Sequence, residues 1–498
     1  MTAAEFEAFA SAYARMDEIT FFLAGPTARA FTAAEAEAWI HTDGTDILRE
    51  ILQGFFDLQS DRERRCKGIV NAQGAPHNAV EKDHERSLTT LFGDVDVRRF
   101  AYRHRGAPNL HPLDAHLNLP EEQFSHGLRR LAAVEAARGS FEEAKDAIER
   151  STGQNVGKRQ VEELAGCAAA DFDAFYSETP RPSAESGDVL ALSVDGKGIV
   201  MRPQALRPAT AKAAEESGQK LSTRLSKGEK ANRKRMAEVG AVYDATPIPR
   251  TPEDVLCTNE QTEAPKPAPT AKAKWFTASV VEDAATVIAQ VFNEAERRDP
   301  EHKRTWLALV DGNNHQIDRI KAEAEARSVQ VHIVIDFIHV LEYLWQAAWS
   351  FFVEGDPAAE AWVLEKAMII LSGQAGIAAA AIRRKATDLH LEKKKRAGAD
   401  TCANYLLNKR PYLDYPTALQ QGWPIATGVI EGACRHLVKD RMDITGARWG
   451  LQGAEAVLKL RALRQNGDFN TYWHYHLAQE YRRIHLARYA PDVLGNAA

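Results

Sequence analysis

Two short apolar runs of the sequence end in the same dipeptide: Asp188 to Val194 leads into Asp195-Gly196, and Trp306 to Val310 leads into Asp311-Gly312. Runs of this kind read as buried strands. Each carboxylate is then expected at a strand's carboxyl edge, with a glycine beside it that leaves room for a ligand. A single Asp-Gly at a strand end is an ordinary turn, so the interest lies in there being two. If the strands are neighbours, the two carboxylates repel, and one keeps its proton unless a cation compensates. Hard oxygen ligands favour Mg²⁺ or Mn²⁺ over zinc. Two such ions held by three carboxylates form a clamp for phosphoryl chemistry, activating water on one side of a phosphodiester and stabilising the leaving 3′ oxygen on the other. For the third carboxylate the best candidate is Glu431, on a helix expected to open after Trp423-Pro424; spacing alone does not separate it from Asp440 and Asp443 on the same stretch.

The elements that must position these groups follow in an informative order. After Asp188 to Val194, strands are expected at Ala237 to Tyr243 and Trp275 to Val280, then a helix from about Asp283 to Arg297. Trp306 to Val310 is the fourth strand, an amphipathic helix runs from about His315 to Arg327, and Val329 to Ile335 is the fifth. The order β-β-β-α-β-α-β is that of the ribonuclease H fold, in which the first and fourth strands are neighbours and Asp195 would face Asp311. The expected fold class is therefore α/β, with a mixed five-stranded sheet. Two segments interrupt it. Residues 202–235 carry a basic excess, including Arg202, Arg207, Lys212, Lys220, Arg224, Lys227, Lys230, Arg233, Lys234 and Arg235, diluted by Glu215, Glu216 and Glu229. They read as a phosphate-gripping arm or as a solvated loop. Residues 247–272, rich in Pro, Thr and Ala, read as a linker.

Upstream, residues 1–86 are patterned as helices without legible function. Ser87 to Leu91 and Val95 to Tyr102 read as a hairpin split by Phe92-Gly93-Asp94, its second arm carrying Arg98 and Arg99 with Arg103 beyond; that arm suits either phosphate contact or a charged edge strand. Within residues 123–184 a helix from Phe124 to Arg138 stops at Gly139. Ser140-Phe-Glu-Glu143 has capping-box spacing for a second helix, and a third opens at Gly157-Lys158-Arg159-Gln160. Such a triplet resembles a helix-turn-helix that would place Lys158 and Arg159 against DNA, or is plain helical packing.

Several segments carry a family likeness. Leu192-Ser-Val-Asp195-Gly-Lys-Gly198, Val310-Asp311-Gly-Asn-Asn314, and Gly428-Val-Ile-Glu431-Gly-Ala-Cys-Arg-His-Leu-Val-Lys-Asp-Arg-Met442 with Thr445-Gly-Ala-Arg-Trp449 resemble the signature blocks of bacterial ISKra-type insertion-sequence transposases, in the Mutator-like group of DDE enzymes. The resemblance spans about the last two-thirds of the chain and is most specific at the third block. It implies a DDE transposase with Asp195, Asp311 and Glu431 as catalytic, metal-holding residues and two Mg²⁺ ions, Mn²⁺ being a substitute. The helical stretch 337–410 would be the all-helical insertion that precedes the catalytic Glu in that group. Asp336-Phe-Ile-His339 matches its Asp/Cys-x-x-His signature, giving Asp336 and His339 supporting roles; by themselves they read as a helix cap and a partly buried histidine. Relatives often carry a CxxCG knuckle before the Pro112-Leu-Asp114 seen here, but this chain has Tyr102-Arg-His-Arg-Gly106, so no N-terminal zinc site is expected.

Lys197, Arg233, Lys234, Arg235, Arg435, Lys439, Arg441 and Arg448 are the further residues expected along the DNA backbone, with Trp449 either stacking on a displaced base or packing under the Glu431 helix. Residues 411–498 are read as the catalytic Glu helix with a basic C-terminal region. The expected partners are transposon ends and target DNA, handled by a homodimer or larger homo-oligomer. The alternatives are a ribonuclease H-like nuclease that never joins strands, and a domesticated DNA-binding protein.

Composition is permissive. A 498-residue chain supports several domains, 44% hydrophobic and 27% charged residues are the balance of a globular protein, and the net charge of −6 requires cations for DNA to be gathered locally. The five cysteines are scattered, with no CxxC pair, so neither a disulfide framework nor a zinc knuckle is expected. With neither an export signal near Met1 to Phe9 nor a bilayer-length apolar run, the expected location is the bacterial cytoplasm at the nucleoid.

Overall fold

The computed structural model describes residues 3–180, 187–216, 233–257, 265–444 and 446–494. The chain forms two compact units, Met1–Ser177 with Asp468–Ala498, and Glu178–Gly467.

The first unit contains a long helix, Ala33–Arg62, opened by a reciprocal cap between Thr32 and Glu35. This helix shares a core with a hairpin of strands β1 (Ala79–Thr90) and β2 (Gly93–Arg103), through Phe56, Leu88, Val95, Val97 and Leu119. The hairpin starts eight residues before the expected Ser87 because the first part of β1, Ala79–Arg86, is largely polar and only partly buried, which hides it from a search for apolar alternation. Beyond it lie the three expected helices, His126–Arg138, Phe141–Thr152 and Lys158–Ala168. Ser140 and Glu143 make the capping box read from their spacing, and Gly153 takes the left-handed conformation (φ 71°) that ends the second helix.

Residues 469–484 correct the domain reading. They form the helix Phe469–Ile484, and it belongs to the first unit rather than to the region of the Glu431 helix. Buried Arg129 makes a two-pronged ion pair with Glu480, Nη1 lying 2.7 Å from Oε2. Asp171 accepts from Arg483 and faces Nδ1 of fully buried His476 at 2.7 Å. Aromatic edges add to the seam, with the Phe175 and Tyr472 rings 5.5 Å apart.

The second unit is a mixed α/β structure around an open five-stranded sheet: β3 (Val189–Val200), β4 (Lys234–Ala245), β5 (Ala271–Ser279), β6 (Trp306–Val310) and β7 (Val331–Ile335), in the order β5-β4-β3-β6-β7. β3 pairs antiparallel with β4 and parallel with β6; β4–β5 is antiparallel and β6–β7 parallel. All five residues of β6 are buried, as a strand with neighbours on both sides and covered faces requires. The helices Ala284–Arg298 and Asn314–Ala326 fall where the sequence placed them. Past β7 come four helices, Phe337–Ala348, Pro357–Leu371, Ala375–Asp388 and Lys393–Asn408. The chain then reaches Gly428–Ala433, which continues as a turn of wide π-helix, Cys434–Lys439.

One boundary differs in a way that matters. β3 does not end at Asp195 but runs on to Val200, paired with β4 down to Val200↔Lys234. Of the basic arm, Pro208–Glu216 is helical, while Lys220, Arg224, Lys227, Lys230 and Glu229 lie outside the described residues, as do 258–264 of the linker and Thr445. The linker's start is fixed to the fold: Ile248 N–H donates to the Gly422 carbonyl and Arg250 N–H to that of Leu419. Among the described residues no helix is long and apolar enough to cross a membrane.

Candidate active site

The sheet register brings the aspartates together. The last β3–β6 pair is Ser193↔Leu309 and the last β6–β7 pair is Val310↔Ile335. Continuing each by a residue or two sets Asp195 against Asp311 and Asp311 against Asp336, a row of three acids across adjacent strands at the carboxyl ends of β6 and β7. Asp195 lies within β3 only because β4 continues to pair with it after β6 has stopped; on the β6 side it is at an edge, as expected.

Each acid is held differently. Asp195 is half-buried; its Oδ1 accepts from Gly196 N–H at 2.7 Å and its Oδ2 from the buried Cys434 thiol at 3.3 Å. Burial, then the charge of Asp195, pushes that thiol far up, so Cys434 is a donor and not a thiolate. Asp311 Oδ1 accepts from Asn313 N–H at 2.8 Å, and the Asp311 carbonyl accepts from Tyr405 O–H at 2.9 Å. Gly312 follows with φ 93°, and a Cβ there would lie 2.9 Å from the Tyr405 hydroxyl, so both backbone conformation and space favour glycine.

Asp336 is fully buried and both of its oxygens are engaged. Oδ1 caps the helix Phe337–Ala348 through Ile338 N–H at 2.8 Å, and Oδ2 accepts from the Thr427 hydroxyl. Thr427 is the N-cap residue of the Glu431 helix, and Phe337 N–H donates to the Ile425 carbonyl. Asp336 therefore ties the end of β7 to the start of that helix, which makes it a positioning group. His339, the other supporting residue, sets Nδ1 3.0 Å from Glu342. Burial lowers its pKa, but Glu342, Asp311 and Asp336 raise it by more, so the net shift favours the imidazolium.

Glu431 is exposed, and its carboxyl is raised above the usual range by desolvation, then by Asp336, Glu342 and Asp195, with His339 opposing. The like charges that crowd it are the cluster itself. Glu238, on β4 opposite Gly196, is raised by burial and by Asp195. Neither Glu238 nor Glu342 was singled out from the sequence. Glu238 was detectable as the acid that alternates with buried Ala237 and Val239; Glu342 looked like any solvated helical acid. The donor set, hard carboxylate oxygens crowded enough to repel, fits Mg²⁺ or Mn²⁺ in kind. Among the described residues, however, no three His, Cys, Asp or Glu side chains converge closely enough to hold a metal ion.

The basic residues divide. Arg233, Arg435, Lys439 and Arg448 are exposed, Arg435 lying 3.6 Å from Asp440, and Lys197 and Lys234 are half-buried on β3 and β4. Two expectations, for Arg235 and Arg441, are corrected, and of the two readings of Trp449 the packing one fits. Arg235 Nε donates to the Val280 carbonyl at 2.6 Å, with further contacts to Ala205 and Val281, so its guanidinium ties the chain together. Arg441 is buried with its guanidinium 4.7 Å from the Trp449 ring centre. Trp449 is itself buried, donating from Nε1 to the Met442 carbonyl, which makes it a packing residue and not a base platform. In the first unit Lys158 and Arg159 are exposed at the start of their helix, beside Glu142 and Glu163 respectively. Arg99 on β2 is buried against Asp114 at 2.6 Å and is not a surface phosphate contact.

Neither the family models nor the curated proteins compared with this chain give a match.

Proposed function

We propose that the second unit is the ribonuclease H-like core of a DDE-type DNA transposase that cleaves transposon ends and joins them to target DNA. The observation that carries this reading is that Asp195 lies in β3 while Asp311 and Asp336 directly follow the neighbouring strands β6 and β7, with Glu431 within electrostatic reach on a helix tied to Asp336 through Thr427. The four helices between Phe337 and Asn408 are then the helical insertion between the last strand and the catalytic Glu.

In this reading Asp195, Asp311 and Glu431 would hold Mg²⁺, whose chemistry when bound would be to activate a water or 3′-hydroxyl and to stabilise the leaving oxygen. The protein's own part is orientation. Gly196 N–H and the Cys434 thiol fix the Asp195 carboxylate, Asn313 N–H fixes Asp311, and Asp336 with Thr427 seats the helix that bears Glu431. Arg435, Lys439 and Arg448 are exposed on the same stretch as Glu431 and would neutralise backbone phosphates, making binding salt-dependent. Lys158 and Arg159 would contact end DNA from the first unit, and two copies are proposed to act together, one per end.

The test uses labelled DNA from the flanks of the gene, with Mg²⁺. Asp195→Asn, Asp311→Asn and Glu431→Gln should each slow cleavage by about a thousandfold or more, roughly 4 kcal/mol of barrier, while retaining DNA binding. Wild-type-like cleavage by any of them would remove that residue from the catalytic set. Cleavage without joined products would indicate a nuclease; binding without metal-dependent cleavage, a domesticated DNA-binding protein.

A further inference from the structure

A second polar site lies in the first unit. Here a cavity of about 370 Å³, in the size range of small-molecule sites, is lined by Arg86, Arg99, His111, Asp114, His485 and Arg488 among others. Two of its cations are already neutralised: Arg99 Nε is 2.6 Å from Asp114 Oδ1, and Arg488 Nη2 donates to Glu121 Oε1 at 2.6 Å. Those pairs use both carboxylates of the lining. Arg86 hydrogen-bonds only to carbonyls, those of Pro120 at 2.9 Å and Glu122 at 2.6 Å, and its ion pair in the wall is a loose one, 4.0 Å from the Asp114 that Arg99 already holds. The wall thus carries one guanidinium more than it carries carboxylates.

His111 registers that excess. Its Nδ1 is 3.9 Å from Asp114, beyond hydrogen-bond reach, and its buried Nε2 has no hydrogen-bond partner among the described residues. Burial, followed by Arg99, the neighbouring His84, Arg86 and Arg488, pushes the imidazole down to about 3, so the ring is neutral at pH 7. A buried polar nitrogen without a partner costs free energy that a suitable ligand would recover. A neutral imidazole can donate to an anionic oxygen once its ring turns Nε2 toward the cavity, and the Arg86 guanidinium, with no carboxylate in hydrogen-bond reach, supplies the counter-charge.

We propose that this cavity is an anion site that takes a phosphate group, free or carried on a nucleotide. Arg86 provides the charge and His111, which lines the cavity, an N–H that reaches the ligand by a turn of the ring, while the volume beyond what phosphate alone fills leaves room for a sugar and base. The site belongs to the first unit and needs none of the carboxylates on the sheet, so either proposal can fail without the other.

Calorimetric titration of the full chain at constant ionic strength tests it, with inorganic phosphate, deoxyadenosine 5′-monophosphate and deoxyadenosine as probes. Both phosphate-bearing probes should bind saturably and the nucleoside should not; tighter binding of the nucleotide than of phosphate would identify the nucleotide as the ligand, and equal binding the phosphate group alone. Arg86→Gln and His111→Phe should each weaken binding about tenfold or more. Arg86 also ties two backbone carbonyls, so circular dichroism must show that its variant is folded; His111→Phe leaves those ties in place and decides the matter if Arg86→Gln does not fold. Absence of saturable phosphate binding, or binding that the folded variants retain, overturns the proposal.

Discussion

At the scale of single residues, the chemistry proposed for the second unit depends on the protonation of Glu431. A carboxyl raised by partial desolvation and by Asp336, Glu342 and Asp195 ionises only at higher pH than an ordinary glutamate, and a metal ligand must be ionised. Metal-dependent cleavage should therefore fall away on the acid side at a pH above the usual carboxylate range. His339 is the cation that opposes this shift, and its own pKa is raised by Glu342, Asp311 and Asp336. His339→Ala removes the opposing charge, which raises Glu431 further, so the acid limb of the pH–rate profile should move to higher pH. A limb that stays in place, or moves down, would show that His339 does not act through Glu431. Asp195 and Asp311 were legible in the sequence because an apolar run ending in Asp-Gly marks a local pattern, and Glu431 because its whole segment carried a resemblance. The roles of Thr427 and Cys434 were not legible, since each depends on a contact made across the fold with no trace in local spacing.

At the scale of elements, the Glu431 helix is short, Gly428–Ala433, and has no side-chain hydrogen bond of its own at the N-cap; Thr427 directs its hydroxyl to Asp336 instead. The helix thus gives up a local cap for a tether to the sheet. Thr427→Val keeps the shape, deletes the tether and leaves one Asp336 oxygen buried without its donor, at a cost of about 1–3 kcal/mol. Turnover should drop with DNA affinity unchanged, and Thr427→Ser should restore it; equal losses in both variants would refute the tether. In the first unit, Glu63 follows the last turn of Ala33–Arg62 and accepts from Phe100 N–H at 2.8 Å on β2. Burial, outweighing that hydrogen bond, raises its carboxyl to about 7. The folded state then holds a proton that the unfolded chain releases near pH 4.5, so this group's contribution is fully present below about 4.5 and is lost as pH rises through about 7. Glu63→Gln keeps the acceptor and should raise the thermal midpoint at pH 8, by about 1–2 kcal/mol of stability after allowing for solvent, with little change at pH 4. A gain equal at both pH values would place its cause elsewhere. The five strands and two intervening helices of the second unit were readable from periodicity because each strand holds a buried apolar run and each helix buries one face; the early half of β1 was not, because it is largely polar and only partly buried.

At the scale of the whole molecule, the chain order is nested: the second unit is inserted into the first, which resumes only at Asp468. Sequence pattern alone grouped residues 468–498 with the Glu431 helix, since a helical pattern states that a helix forms and not what it packs against. What assigns the helix Phe469–Ile484 is its complement of buried charge. Glu480 answers Arg129, while Asp171 faces His476 and receives Arg483, all within one unit. Arg129 and Asp171 cannot stay buried without those partners, because removing one member of a buried ion pair costs about 3–5 kcal/mol. A chain ending at Gly467 leaves Asp171 unanswered, leaves Arg129 only Glu122 at 3.8 Å, and also exposes the aromatic seam around Phe175. Hydrogen exchange on that truncated chain should show lost protection in His126–Arg138 and Lys158–Ala168, while β3, β4 and β6, whose pairing lies wholly within residues 178–467, keep theirs. Glu480→Ala in the full chain should reproduce the first effect in weaker form. Undiminished protection of His126–Arg138 in the truncated chain would mean that the first unit folds without its final helix, and that the buried ion pairs are not what holds the helix to that unit.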